Sequence, residues 1–297
     1  MSGLGRRSGI PAAGFKGVTG AAPARRRTNA MVQKILTVAL LALIASYSAG
    51  QSVDTIIQNS VRANENDWNA APEYTYFERD LEPHGGTKTF EDMMILGSPY
   101  QRLIAINGKP LPRDKEERER HKLQQTVADR RSESAQDRAE RIAKYEKDRR
   151  RDQLMMKQLT VALKFKLTGE QKLDGHDVYV LKATPRPDYQ PPNMDTQVLK
   201  GTEGRLWIDK KTYQWVKVEA RVIHPVSIEG FLAQVEPGTQ FELEKMPVQD
   251  DIWLPKHYAM KASAKIFFLF GHKSQDDETY YGYRKLTLEQ VLAGEVQ

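Results

Sequence analysis

The sequence contains no cysteine. This excludes disulfides, thiolate metal sites, a cysteine nucleophile and a lipid anchor on a processed N-terminal Cys. Acidic residues are missing from the first fifty positions, which hold seven Lys and Arg (Arg6, Arg7, Lys16, Arg25, Arg26, Arg27, Lys34). The formal charge of +6 therefore belongs to that segment, and residues 51–297 carry 38 basic against 39 acidic side chains. A uniformly basic nucleic-acid binder is excluded, and no nucleic-acid partner is expected. Catalytic signatures are absent too: there is no HExxH, no GxSxG elbow, no GxxxxGK[ST] loop and no GxGxxG after a strand. The six histidines are scattered without metal-ligand spacing, so neither a metal nor a cofactor is expected, and the chain does not read as an enzyme.

An apolar run of eleven residues, Ile35 to Ala45, follows Lys34 and precedes small and polar residues through Gly50. At about 1.5 Å per residue it falls well short of a bilayer core of roughly 30 Å, so a secretory signal peptide is the better reading than a membrane span. Residues 1–50 are read as a basic leader plus signal peptide cleaved after Gly50, with Met31 an alternative initiator. Export implies a periplasmic or secreted protein.

Within residues 51–297, read as one domain, Val53, Ile56, Ile57 and Val61 recur at helical spacing behind Ser52, a good N-cap, with Asp54 in the first turn. Alternating strand patterns follow at Glu73 to Glu82, Lys88 to Leu96 and Gln101 to Ile106. Residues 113–152 then carry fourteen basic and eleven acidic side chains with no Gly or Pro. This predicts an exposed helical insertion, extending to about residue 160, with a thin apolar stripe of Leu123, Val127, Ile142 and Tyr145. Strands resume from Val161. Asp174-Gly175 marks one hairpin, Asp209 to Thr212 a second, and further strands are expected near 241–245, 253–260, 264–270 and 279–286. Asp276-Asp277-Glu278 reads as a solvated hairpin loop. In the strand after the second hairpin, Trp215 is out of phase with Val216 and Val218. The fold class is α+β: a large curved antiparallel sheet, an incomplete β-barrel, with covering helices.

Leu206, Ile208, Val216, Val218, Phe241, Leu243, Trp253, Phe267 and Leu269 alternate with polar neighbours and are the candidate lining of an apolar concave face. For each residue alone, plain core is the commoner role. Together they could shelter an acyl chain at about 0.8 kcal/mol per buried methylene.

Several stretches resemble the LolA/LolB/RseB superfamily of lipoprotein carriers and their regulatory relatives. They are Gly97 to Leu103 with Asn107-Gly108, Gly175 to Pro185, Gly204 to Val222 and Asp250 to Tyr258. The resemblance implies a half-barrel with an apolar cavity for lipid or lipoprotein acyl chains, transient membrane contact, and a role for Arg102 in holding a lid. The charged insertion departs from the carriers and suggests the alternative, an RseB-like envelope sensor or interaction module that docks a protein partner through that insertion.

Overall fold

The computed structural model describes residues 51–228, 233–249, 251–266 and 269–286. The expected leader of residues 1–50, Phe267 and Asp250 lie outside these residues. Helix α1 (Val53–Ala70) is capped by Ser52, whose hydroxyl accepts the Thr55 N–H at 3.1 Å. Its buried residues are Ile56, Ser60 and Asp67, spaced by four and seven, so a single stripe carries an apolar, a hydroxyl and an acidic side chain into the protein.

Strands β1 (Tyr74–Leu81), β2 (Thr87–Ile95), β3 (Ser98–Ile106) and β4 (Lys109–Pro110) form a meander. Its tight turns place Leu96-Gly97 and Asn107-Gly108 at positive φ, the requirement of two-residue hairpin turns. The insertion is two helices, α2 (Arg113–Ser132) and α3 (Ala135–Ala162), and Ser134 caps the second. The expected stripe is used: Leu123 and Val127 pack on Met93 and Ile95 of β2. Helix α3 runs through Val161, past the expected resumption of strands, because its last turns bring Met155, Met156, Leu159 and Ala162 onto the core.

The remaining strands are β5 (Leu163–Leu173), β6 (His176–Pro185), β7 (Thr202–Asp209), β8 (Trp215–Val222), β9 (Val226–Ile228), β10 (Ala233–Val235), β11 (Gln240–Gln249), β12 (Ile252–Ile266) and β13 (Leu269–Lys285). The sheet order is β4-β3-β2-β1-β13-β12-β11-β8-β7-β6-β5, and β9 and β10 extend from β12. Every pairing is antiparallel. The α+β open half-barrel expected from the sequence is the architecture.

Two local readings are corrected. Residues 253–260 and the start of 264–270 belong to the single strand β12, so Asp276, Asp277 and Glu278 lie inside β13, opposite Met260, Ala259 and Tyr258. Charge density suggested a solvated loop, but pairing on both sides by β12 and β1 decides the conformation. In β8, Ile208 pairs with Trp215 and Trp207 with Lys217, leaving Val216 as the extra residue of a β-bulge. The bulge restores Trp215 to the face of Val218 and sends Val216 to the other.

Candidate functional site

The face that meets α1 changes character along its cross-strand rows. One row runs through Leu167, Leu181, Leu206, Val218, Leu243, Tyr258, Glu278 and Asp80, residues opposite one another on successive strands. The next runs through Ala183, Gly204, Ala220, Phe241, Met260 and Asp276. Strands β5 to β8 and β11 thus form an apolar trough, and β12, β13, β1 and β2 an acidic and tyrosine-rich wall.

Of the predicted lining, Leu206, Ile208 and Val218 meet in the trough with Trp215, and Phe241 and Leu243 pack against them. Val216 and Trp253 do not join them. They form a second cluster with Val178, Val180 and Trp207 on the opposite face, Val216 because of the bulge. Leu269 pairs by its backbone with Ile266 where β12 meets β13.

The trough is roofed by Val53, Ile56 and Ile57 of α1 and by Met155, Met156 and Leu159 of α3. The small residues Ala183, Gly204 and Ala220 line the space beneath the roof, and Gly204 is required by the neighbouring strand β8. A Cβ on Gly204 would stand 2.7 Å from the Glu219 carbonyl oxygen. The void left beneath the roof is about 30 Å³, against roughly 300–1,000 Å³ for sites that bury a small molecule. Trp215 Nε1 is buried here with no acceptor among the described residues.

Helix α1 is pinned at its far end. Asp67 accepts hydrogen bonds from Gln214 Nε2 at 2.9 Å and the Trp253 N–H at 2.9 Å, and pairs with Lys245, which also donates to Asn64 at 2.9 Å. Burial pushes the Asp67 carboxyl up, opposed by Lys245, and burial pushes the Lys245 ammonium down, opposed by Asp67. Sequence reasoning passed over both residues. The available signal was helical phase, which sets Asp67 on the stripe of Ile56.

On the wall, Tyr76 stands opposite Asp92, Glu78 opposite Tyr280 and Asp80 opposite Glu278. Burial, reinforced by the Asp92 and Asp80 charges, pushes Glu78 up to about 8. Burial likewise raises Asp92 to about 6, against the hydrogen bond from Gln101. The Tyr76 and Tyr283 rings pack at 5.1 Å, and Tyr76 meets Tyr280 edge-on at 5.8 Å. Among the described residues no group of three or more His, Asp or Glu is arranged to hold a metal ion.

Arg102 lies on β3 and its ion pair is within the sheet. It pairs with Glu91 on the neighbouring strand, which also accepts from Arg284 at 3.2 Å. The helices supply their own fasteners. Arg130 donates to the carbonyls of Ile95 (2.8 Å), Ser98 (2.9 Å) and Pro99 (3.1 Å). Arg141 donates to Ser98 Oγ at 2.7 Å and the Leu96 carbonyl at 3.1 Å while paired with Glu133. Arg149 lies 3.8 Å from the Trp68 ring centroid. In a tract with so many charges, nothing local singles out these three.

A polar groove of about 600 Å³ is lined by charged residues of the rows in opposite phase to the trough, among them Arg205, Glu219, Glu242 and Asp277, and also by Phe241 and Met260 of the trough-face row.

The fold and site define an α+β half-barrel whose apolar interior is occupied by its own helices. No family model matches the sequence, and no curated protein matches it. Among solved structures it is similar to an outer membrane lipoprotein-sorting protein domain from Vibrio parahaemolyticus, at 13% identity over 79% of this chain and 96% of that one, with a TM-score of 0.28. It is also similar to a DUF1329 family protein from Desulfovibrio piger, at 10% identity over 80% and 96%, TM-score 0.30. A third is the MucA/MucB complex of Pseudomonas aeruginosa, matched at 10% identity over 77% and 99%, TM-score 0.22.

Proposed function

We propose that this chain is an exported, non-enzymatic binding protein of the cell envelope that acts through a protein partner. The observation that carries this reading is the filled trough: α1 and the end of α3 leave about 30 Å³, no room for an acyl chain without displacing a helix. Export is supported by the basic leader and the eleven-residue apolar run. After cleavage near Gly50, the mature protein begins just before α1 and works in the periplasm or outside the cell.

A second reading, the carrier of lipid or lipoprotein acyl chains, is favoured by two features of the same trough. Trp215 offers an N–H with no acceptor, a polar handle of the kind that orients a ligand in an apolar site. Met155 and Met156 in the roof are side chains that repack readily. In that reading the roof lifts and the ligand takes its place on Leu206, Ile208, Val218, Phe241 and Leu243.

Titration with a fluorescent fatty acyl probe, together with native mass spectrometry of protein purified from its own envelope, separates the two. A ligand-free mass and no saturable probe binding are the expected results. Saturable binding at one probe per chain, lost on Ala220→Leu with thermal unfolding unchanged, would establish the carrier and overturn the first reading.

A further inference from the structure

Strand β5 ends the sheet, and among the described residues no strand pairs with its outer side. At its start the Leu163 N–H donates to the Leu159 carbonyl and the Leu163 carbonyl accepts from Arg186 Nε at 3.1 Å, so the outward groups open to a partner begin at Phe165. At eleven residues it is about twice the usual strand length, whereas free edges are ordinarily short or covered. Its two faces differ. Phe165 and Leu167 turn toward the trough and pack on the core. Lys164 and Lys166 are exposed on the other face.

Lys166 stands opposite Lys182, and Lys182 opposite Arg205. Three cations therefore lie side by side on three consecutive strands, all exposed. Among the described residues none is held in an ion pair; Arg205 lies 5.7 Å from the Trp207 ring centroid and stands opposite Glu219 without an ion pair to it. Like charges directly opposite one another across strands destabilise a sheet. Farther along the same row come Glu219 and Glu242, and both are neutralised by Lys217 of an adjoining row, at 3.1 and 2.6 Å. Lysines on an edge deter pairing with a second copy of the same edge, which accounts for Lys164 and Lys166. It does not account for Lys182 and Arg205 on inner strands, where Arg205 and Lys182 border the polar groove.

We propose that the free edge of β5 binds, by strand addition, an extended peptide segment in which acidic residues alternate with apolar ones. Such a strand satisfies the outward backbone groups of β5. Because side chains alternate between faces, its acidic residues extend the Lys166, Lys182, Arg205 row while its apolar residues extend the row of Leu167 and Leu181. The edge lysines then both refuse a like-charged copy and select the partner. The β-bulge between Leu167 and Gly169 confines the docking segment to the first half of the strand. This inference rests on the protein-partner reading and adds the partner's chemistry and its place of contact.

The test uses six-residue peptides alternating glutamate with valine or lysine with valine, added to the mature protein and followed by amide chemical shifts and fluorescence anisotropy. The acidic peptide should bind saturably, shift residues 164–168 and weaken as salt rises. Lys166→Glu with Lys182→Glu should weaken it about tenfold, or roughly 1.4 kcal/mol, and should make the lysine peptide the better ligand. Both substitutions are at exposed positions, and unchanged thermal unfolding checks that the sheet is intact. Equal binding of the two peptides, shifts confined to another edge, or binding to phosphatidylglycerol vesicles that depends on Lys166 and Lys182 while both peptides fail, would each overturn the proposal. The acyl probe reads the trough independently: a silent probe with a failed peptide sinks only the β5 site, and a saturable probe sinks the protein-partner reading.

Discussion

Asp67 of α1 and Lys245 of β11 form an ion pair that is almost wholly removed from solvent, both side chains being less than a tenth exposed. The pair joins the roof to the sheet. Removing one partner of a buried pair strands a charge in a medium that cannot solvate it, at about 3–5 kcal/mol. Lys245→Met should therefore lower the stability of the mature protein by that amount in urea unfolding. Asp67→Asn combined with Lys245→Met should recover part of the loss, because no lone charge remains. A double-substitution cycle showing no coupling would remove the pair from any role in holding α1.

Stability should fall as pH rises from about 4 to about 8. Glu78 and Asp92 have folded values raised to about 8 and about 6, above their ordinary values of 4.5 and 3.8. A raised carboxyl contributes fully below its unfolded value, and the contribution is lost as pH climbs through the folded value. Glu78→Gln should flatten the upper part of the melting-temperature profile and Asp92→Asn the lower part. A wild-type profile that rises across this window would contradict the burial of the wall.

The hinge of the insertion rests on arginines that bind backbone carbonyls. Arg130→Ala should release the β2–β3 turn from α2, with hydrogen exchange accelerating in residues 113–150 and β6 to β8 unchanged. Hydrogen bonds from a charged donor are worth about 1.5–3 kcal/mol each, so the local effect should exceed any shift in global unfolding. Equal acceleration throughout the sheet would show that the insertion and the sheet unfold as one unit.

Gly97 serves the same turn in another way. Its φ is +91°, and a Cβ there would stand 2.9 Å from Ile142 Cδ1 on α3. Gly97→Ala should destabilise the protein by about 1 kcal/mol or more, from the left-handed backbone and the contact together. Ile142→Ala should relieve the contact and restore part of the loss in the same unfolding measurement.

Much of this was legible in one dimension. Helical phase behind Ser52 located α1, Asp174-Gly175 and Asn107-Gly108 located hairpins, and the unbroken charged tract located the insertion, because capping, turn geometry and period are local. The apolar alternation of Leu206, Ile208 and Val218 identified residues that do share a face. Lys166, Lys182 and Arg205 could not be read as one row, since they are brought side by side only by the registers of β5, β6 and β7.

The sequence by itself determined most of the elements, the open antiparallel class and the confinement of excess positive charge to the first fifty residues, since each follows from residues near one another in the chain. The tertiary structure alone decided which face each strand residue takes, through one extra residue at Val216. It turned Asp276 to Glu278 from an apparent loop into a paired wall, and it filled the trough with α1 and α3. Those outcomes depend on register and on what packs above the sheet, and neither is encoded within any single stretch.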